Sequence, residues 1–154
     1  MDTFAHAAWS YIIFHQTSSW PLAVFFGVMP DLFSWTIYMI YTLVRGNKFG
    51  KPELNKIPQW AFTLYGITHS IFVFSAVALI LFLIAGEVPS YLWAWIIHIA
   101  VDIPTHSRQF LPTPFLWPVS QWKFPGFSWG QTWFMILNWS AIIVAFFIIS
   151  NLIF

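Results

Sequence analysis

Residues 59–85 read QWAFTLYGITHSIFVFSAVALILFLIA, twenty-seven positions in a row without a charged side chain. As one α-helix this stretch would be about 40 Å long, more than the ~30 Å of hydrocarbon that a membrane span has to cross. A second apolar segment covers residues 20–44 and is interrupted by Pro30-Asp31, where the missing proline N–H predicts a kink. A third opens at Ser128 and Gln131, spaced as a capping box, and runs to Phe154. Two shorter apolar segments, 3–16 and 90–103, complete the set. The expected fold is all-α: one membrane-embedded domain over residues 1–154, with four to five membrane-embedded helices. Prolines 104, 112, 114, 118 and 125 break up the Trp- and Phe-rich stretch before the last helix. That stretch is expected to be an interfacial loop or a re-entrant cover, with Trp117, Trp122 and Trp129 in an interface belt.

Composition excludes other classes. Of 154 residues, 59% are hydrophobic and 22% aromatic, while six basic and five acidic residues make up the 7% that are charged. A soluble domain of this length carries roughly 40 charged residues and cannot hide so much apolar surface. A net charge of +1 gives no basic face for nucleic acid, and the absence of Cys removes disulfides and thiolate metal sites. Four of the six basic residues, Arg45, Lys48, Lys51 and Lys56, lie in one loop, and Arg108 and Lys123 lie in another. The positive-inside rule places both loops in the cytoplasm, and the bilayer as the chain's first partner. Arg108 reads either as a topology-setting charge or as a phosphate contact.

Asp31 and Asp102 sit inside apolar segments that contain no Lys or Arg. An Asp at the centre of a span costs on the order of 2.5–3.5 kcal/mol, so both ask for partners. The available groups are His6, His69 and His98. His98 and Asp102, four residues apart on one helix face, can hydrogen-bond each other or ligate one ion. His69 and His6 could each simply satisfy a neighbouring carbonyl or lie at the interface. Taken together, three imidazoles and two carboxylates could converge on a divalent cation, which supplies the missing positive charge. Nitrogen and oxygen donors without sulfur suit Zn²⁺, with Mn²⁺ and Fe²⁺ next, better than Ca²⁺. Five ligands would crowd out substrate, so one of them is expected to stand back, and Asp31 or Asp102 could act as general base. His106, just past the fourth segment, is the remaining acid–base candidate; a solvated loop position is its plainer reading.

The same residues carry a resemblance. Ala5-His6, Met29-Pro30-Asp31, Thr68-His69-Ser70, His98-x3-Asp102-x2-Thr105 and Phe115-Leu116-Trp117-Pro118 occur in that order over residues 5 to 118. In this pattern the chain resembles the YdjM-like family, described as LexA-regulated, membrane-bound, metal-dependent hydrolases of the bacterial inner membrane. The resemblance implies a metal site on His6, Asp31, His69, His98 and Asp102, and hydrolase activity. A more distant likeness to zinc-dependent phospholipase and nuclease folds points toward phosphoesters. The chain departs from the family pattern at Phe33, where a second Asp is common, and at Leu64-Tyr65, where His-Arg is common.

The function expected is therefore hydrolysis of a phosphoester or lipid-linked ester at the cytoplasmic leaflet, with Asp31, Asp102 and His106 as catalytic candidates. Intramembrane Asp and His also mark ion pathways, so a small metal-ion or proton transporter, completed by homo-oligomerisation, is the rival class. A catalytically silent metal-binding scaffold is the third.

Overall fold

A computed structural model describes residues 1–46 and 53–153. Lys48 and Lys51 of the first basic loop, and Phe154, lie outside the described residues. Among the described residues there are seven α-helices: α1 (Thr3–Phe14), α2 (Trp20–Asp31), α3 (Ile37–Val44), α4 (Gln59–Thr68), α5 (Ile71–Ala85), α6 (Trp93–Thr105) and α7 (Thr132–Ile153). No strand occurs among the described residues; Ser107 and Gly126 form an isolated bridge.

Fewer helices qualify as spans than the four to five expected. Trp20–Val44 and Thr132–Asn151 are long and apolar enough to cross a membrane, and a third span results if α4 and α5 are counted as one bent unit. With 12 and 13 residues, α1 and α6 reach only about 18–20 Å. They are buried against α2, which packs on both.

The break between α4 and α5 bends the chain by 50°, where the sequence reads as one unbroken run. Ser70 is the cause. It takes extended backbone angles, and its Oγ caps α5 by accepting from the amides of Phe72 (3.1 Å) and Val73 (3.2 Å). A broken helix at membrane depth needs other partners for its freed backbone groups. Here Trp95 Nε1 donates to the Thr68 carbonyl at 2.7 Å, Ile71 N donates to the Phe115 carbonyl at 3.0 Å, and Ser70 Oγ donates to the Trp117 carbonyl. The Pro-rich stretch thus plugs the break. Gly66 permits it: an added Cβ would stand 2.9 Å from the Trp117 indole. Trp117 therefore packs into the fold, while Trp122 stays half-exposed as a belt residue would. Ser70→Ala removes an acceptor of two amides and one buried donor. The expected loss is about 1–3 kcal/mol, read as a lower midpoint of thermal unfolding in detergent, with Ser70→Thr close to the parent.

Pro30 lies inside α2, and Trp20–Val44 runs on as one helix rather than breaking there. A π-helical turn, Leu32–Thr36, follows it, and Ser34 Oγ donates to the Pro30 carbonyl at 2.5 Å. The capping box at Ser128 and Gln131 does not form. α7 starts at Thr132, Gln131 N donates to the Ser128 carbonyl, and Gln131 Oε1 accepts from Trp133 Nε1. The end of the Pro-rich stretch returns instead to α6, where Phe127 N and Trp129 N donate to the carbonyls of Pro104 and Thr105.

Candidate metal centre

Four elements bring the intramembrane ionisable groups together: α1 carries His6, the end of α2 Asp31, the α4–α5 break His69, and α6 both His98 and Asp102. Ligand atoms of Asp31, His69, His98 and Asp102 all lie within 4.8 Å of one another. His69, His98 and Asp102 are fully buried, and the Asp31 side chain is 13% exposed. Straight helices would place Asp31 and His98 at different depths. In the fold Asp31 Oδ1 nevertheless comes to 3.9 Å from His98 Nε2.

Each member turns one atom inward and anchors the other outward. His98 Nδ1 donates to the Gly27 carbonyl at 2.7 Å and His69 Nδ1 to the Tyr65 carbonyl at 3.2 Å. A carbonyl can only accept, so in the neutral ring the His98 proton sits on Nδ1 and its Nε2 lone pair faces inward; His69 Nδ1 also lies 3.0 Å from Thr68 Oγ1, and the two Nε2 atoms stand 3.2 Å apart. Asp31 Oδ2 accepts from Thr3 Oγ1 at 2.6 Å, leaving Oδ1 inward at 3.8 and 3.9 Å from the two Nε2 atoms. Asp102 Oδ1 accepts from the Met1 α-amino nitrogen and from His6 Nε2 (2.9 Å). Its Oδ2 is buried without a hydrogen-bond partner, 3.3 Å from His98 Nε2 and 3.6 Å from His69 Nε2. Four lone-pair donors turned on one point repel each other unless a cation lies between them. Donors about 2.1 Å from a tetrahedral ion stand about 3.4 Å apart; the His69, His98 and Asp102 atoms are 3.2–3.6 Å apart, with Asp31 Oδ1 farther out at 3.8 and 3.9 Å from the two Nε2 atoms. The group could hold a metal ion, and the outward anchors are the kind that orient metal ligands.

His6 is the member that stands back. Its ring stacks on His98 with centroids 3.6 Å apart, and its Nε2 points to Asp102 Oδ1 rather than to the common point. His106 follows the same rule as the inner imidazoles. Its Nδ1 donates to the Leu111 carbonyl at 2.9 Å, which turns Nε2 to within 3.6 Å of Asp102 Oδ2. Burial lowers the His106 pKa, against the opposing pull of Asp102, and favours the neutral ring. Leu111 has φ 49°, in the left-handed region, and its carbonyl also accepts from Tyr65 Oη at 3.2 Å. His106 is thus mostly buried and held, not a solvated loop residue. Arg108 takes no part: its guanidinium donates to the Lys123 carbonyl at the surface. His15, at the far end of α1, bonds to the Ile12 carbonyl.

Thr3 and Tyr65 were not singled out from sequence. Thr3 carried a readable signal, since it precedes His6 by three residues and so shares its helix face. Tyr65 carried none, because its role depends on Leu111, which is remote in the chain. A cavity of about 250 Å³ adjoins the centre, with Asp31, Tyr65, Thr105 and His106 in its wall. No family model, curated protein or solved structure matches the chain.

Proposed function

We propose that the chain is a metal-dependent hydrolase of the bacterial inner membrane, a member of the YdjM-like family, acting on a phosphoester or lipid-linked ester from the cytoplasmic leaflet. The observation that carries this reading is the pair of facing Nε2 atoms, flanked by two inward carboxylate oxygens beside an open cavity. His69, His98 and Asp102 would hold the ion, zinc suiting imidazole and carboxylate donors, and the partly open Asp31 would be either a fourth ligand or, standing off, the general base that leaves a position for water. When bound, such an ion supplies Lewis acidity and a hydroxide-like nucleophile near neutral pH. His106 Nε2, held inward by the Nδ1 bond to the Leu111 carbonyl and 3.2 Å from the Met1 α-amino nitrogen, would take up or return the proton once that contact opens. Asp31, the one inner group that is partly open, stands where substrate enters. Ser107 and Phe110, on either side of Arg108 in the second basic loop, line the cavity, which supports access from the side of that loop.

The test uses protein purified in a nonionic detergent and loaded with zinc. The expected result is cleavage of bis(para-nitrophenyl) phosphate or para-nitrophenyl butyrate, lost on chelation and restored by zinc. His106→Gln lowers turnover by about 10²–10⁴-fold while bound zinc is unchanged and the pH profile of the residual rate loses one limb. Stoichiometric zinc with neither ester cleaved, or zinc carried across liposomes, overturns hydrolysis; the second outcome would favour transport.

A further inference from the structure

A second cavity, of about 290 Å³, adjoins the one beside the metal centre, and Tyr65 and Leu111 line both. Its charge is of the opposite sign. Asp2 and Asp31 stand in the wall of the first; among the described residues lining the second, Lys123 is charged and none is acidic. Lys123 is half-buried and lies in the second basic loop, outside the candidate spans. Lys56 has Glu53 at 2.7 Å, whereas Lys123 forms no ion pair and its ammonium donates no hydrogen bond among the described residues. Its Nζ is unpaired yet not shut off from solvent, so a ligand can reach it. Burial lowers the Lys123 pKa. The ammonium has given up part of its water without gaining a counter-charge, and an anion would replace what was lost. The Arg108 guanidinium donates twice to the Lys123 carbonyl, at 2.8 and 3.0 Å, which fixes the backbone that carries this ammonium. Gln59 and Gln121 add amide donors, while Phe62, Pro114 and Trp117 make much of the remaining wall apolar.

We propose that this second cavity binds an anionic phosphate ester, with Lys123 as its counter-ion and Gln59 and Gln121 as further donors. A compact ammonium suits phosphate as a point charge. A few polar groups set in an apolar wall are the usual make-up of a small-ligand site. A volume of about 290 Å³ is room for roughly ten waters, enough for a phosphate with its glycerol. The apolar wall favours an ester that is part of a lipid, whose acyl chains would extend out to the bilayer. Basic pockets at the membrane surface commonly take acidic headgroups. A lipid headgroup and a free phosphate ester share this chemistry. None of Asp31, His69, His98 and Asp102 lines this cavity, so the proposal does not rest on the hydrolase reading.

Calorimetric titration of the purified protein in nonionic detergent tests the proposal, using dihexanoyl phosphatidylglycerol and dihexanoyl phosphatidylcholine below their micellar concentrations. In the second lipid, choline already offsets the phosphate charge. Phosphatidylglycerol is expected to bind about tenfold more tightly, and equally well before and after chelation of any bound metal. Lys123→Gln should lose that preference and Lys123→Arg keep it, with the unfolding midpoint unchanged in both. Gln121→Leu should weaken binding about threefold through a lost hydrogen bond. Lys56→Gln, which removes the exposed partner of Glu53, is the control and changes nothing. Glycerol phosphate competing as strongly as phosphatidylglycerol would identify a soluble ligand, and competing only weakly a lipid. Equal binding of the two lipids, a preference that Lys123→Gln leaves intact, or binding that vanishes on chelation overturns the phosphate site even if esters are cleaved. Selective phosphatidylglycerol binding by protein that cleaves no ester keeps this site and fails the hydrolase reading instead.

Discussion

Replacing His69 and His98 together with alanine is expected to drop bound transition metal from about one ion per chain to background. The double variant loses both inward nitrogens, and the two carboxylate oxygens left behind hold a divalent ion poorly without them. The parent should also respond to the metal through its stability. Ion at a thousandfold excess over its dissociation constant adds about 4 kcal/mol, so chelation lowers the unfolding midpoint of the parent and leaves the double variant unmoved. His15→Ala, on the far end of α1, is the control and keeps full metal content. Elemental analysis of the purified proteins, with unfolding followed by circular dichroism, checks both parts. Unchanged metal content in the double variant would dismiss the centre altogether.

Gly27→Val is the second large effect, because Gly27 serves the packing and the site at once. An added Cβ would collide with Ser10 Oγ and come within 2.9 Å of Ser10 Cβ, with Ala94 Cβ at 3.7 Å on the other side. Small residues let α1, α2 and α6 approach closely, as is usual where helices meet in a membrane. The same residue's carbonyl accepts from His98 Nδ1 and so fixes which nitrogen faces the centre. Valine should therefore cost about 1–3 kcal/mol through overpacking and weaken metal binding by about 10–100-fold through the displaced carbonyl. Gly27→Ala with Ser10→Gly reopens the crossing and should recover most of both losses. Competition with a chromophoric chelator reads the affinity. Valine at full affinity would show that the Gly27 carbonyl does not orient His98.

Part of the centre was legible in the chain and part was not, for separable reasons. His98 and Asp102 are four residues apart, so helix geometry alone places them on one face. Asp31 was conspicuous because it is an acid in an apolar segment. The break at His69-Ser70 was harder to see, because its only local sign is a polar tripeptide in an apolar run. What stabilises the break comes from residues 95, 115 and 117, and no local pattern reports those partners. The Ser128/Gln131 spacing misled for the converse reason. Residues 127 and 129 pair with the end of α6, and that tertiary pairing displaces the start of α7 to Thr132.

By itself the sequence determined that this is an apolar helical chain with a few ionisable side chains placed where water cannot reach them. The cost of burying those groups unpaired made them conspicuous one by one. Only the tertiary structure decided which atoms face one another: His6 behind Asp102, and the ligand atoms of Asp31, His69, His98 and Asp102 within 4.8 Å of one another. Hydrogen bonds to carbonyls and hydroxyls from four different segments fix those directions, and a directional bond between distant segments leaves no periodic trace along the chain.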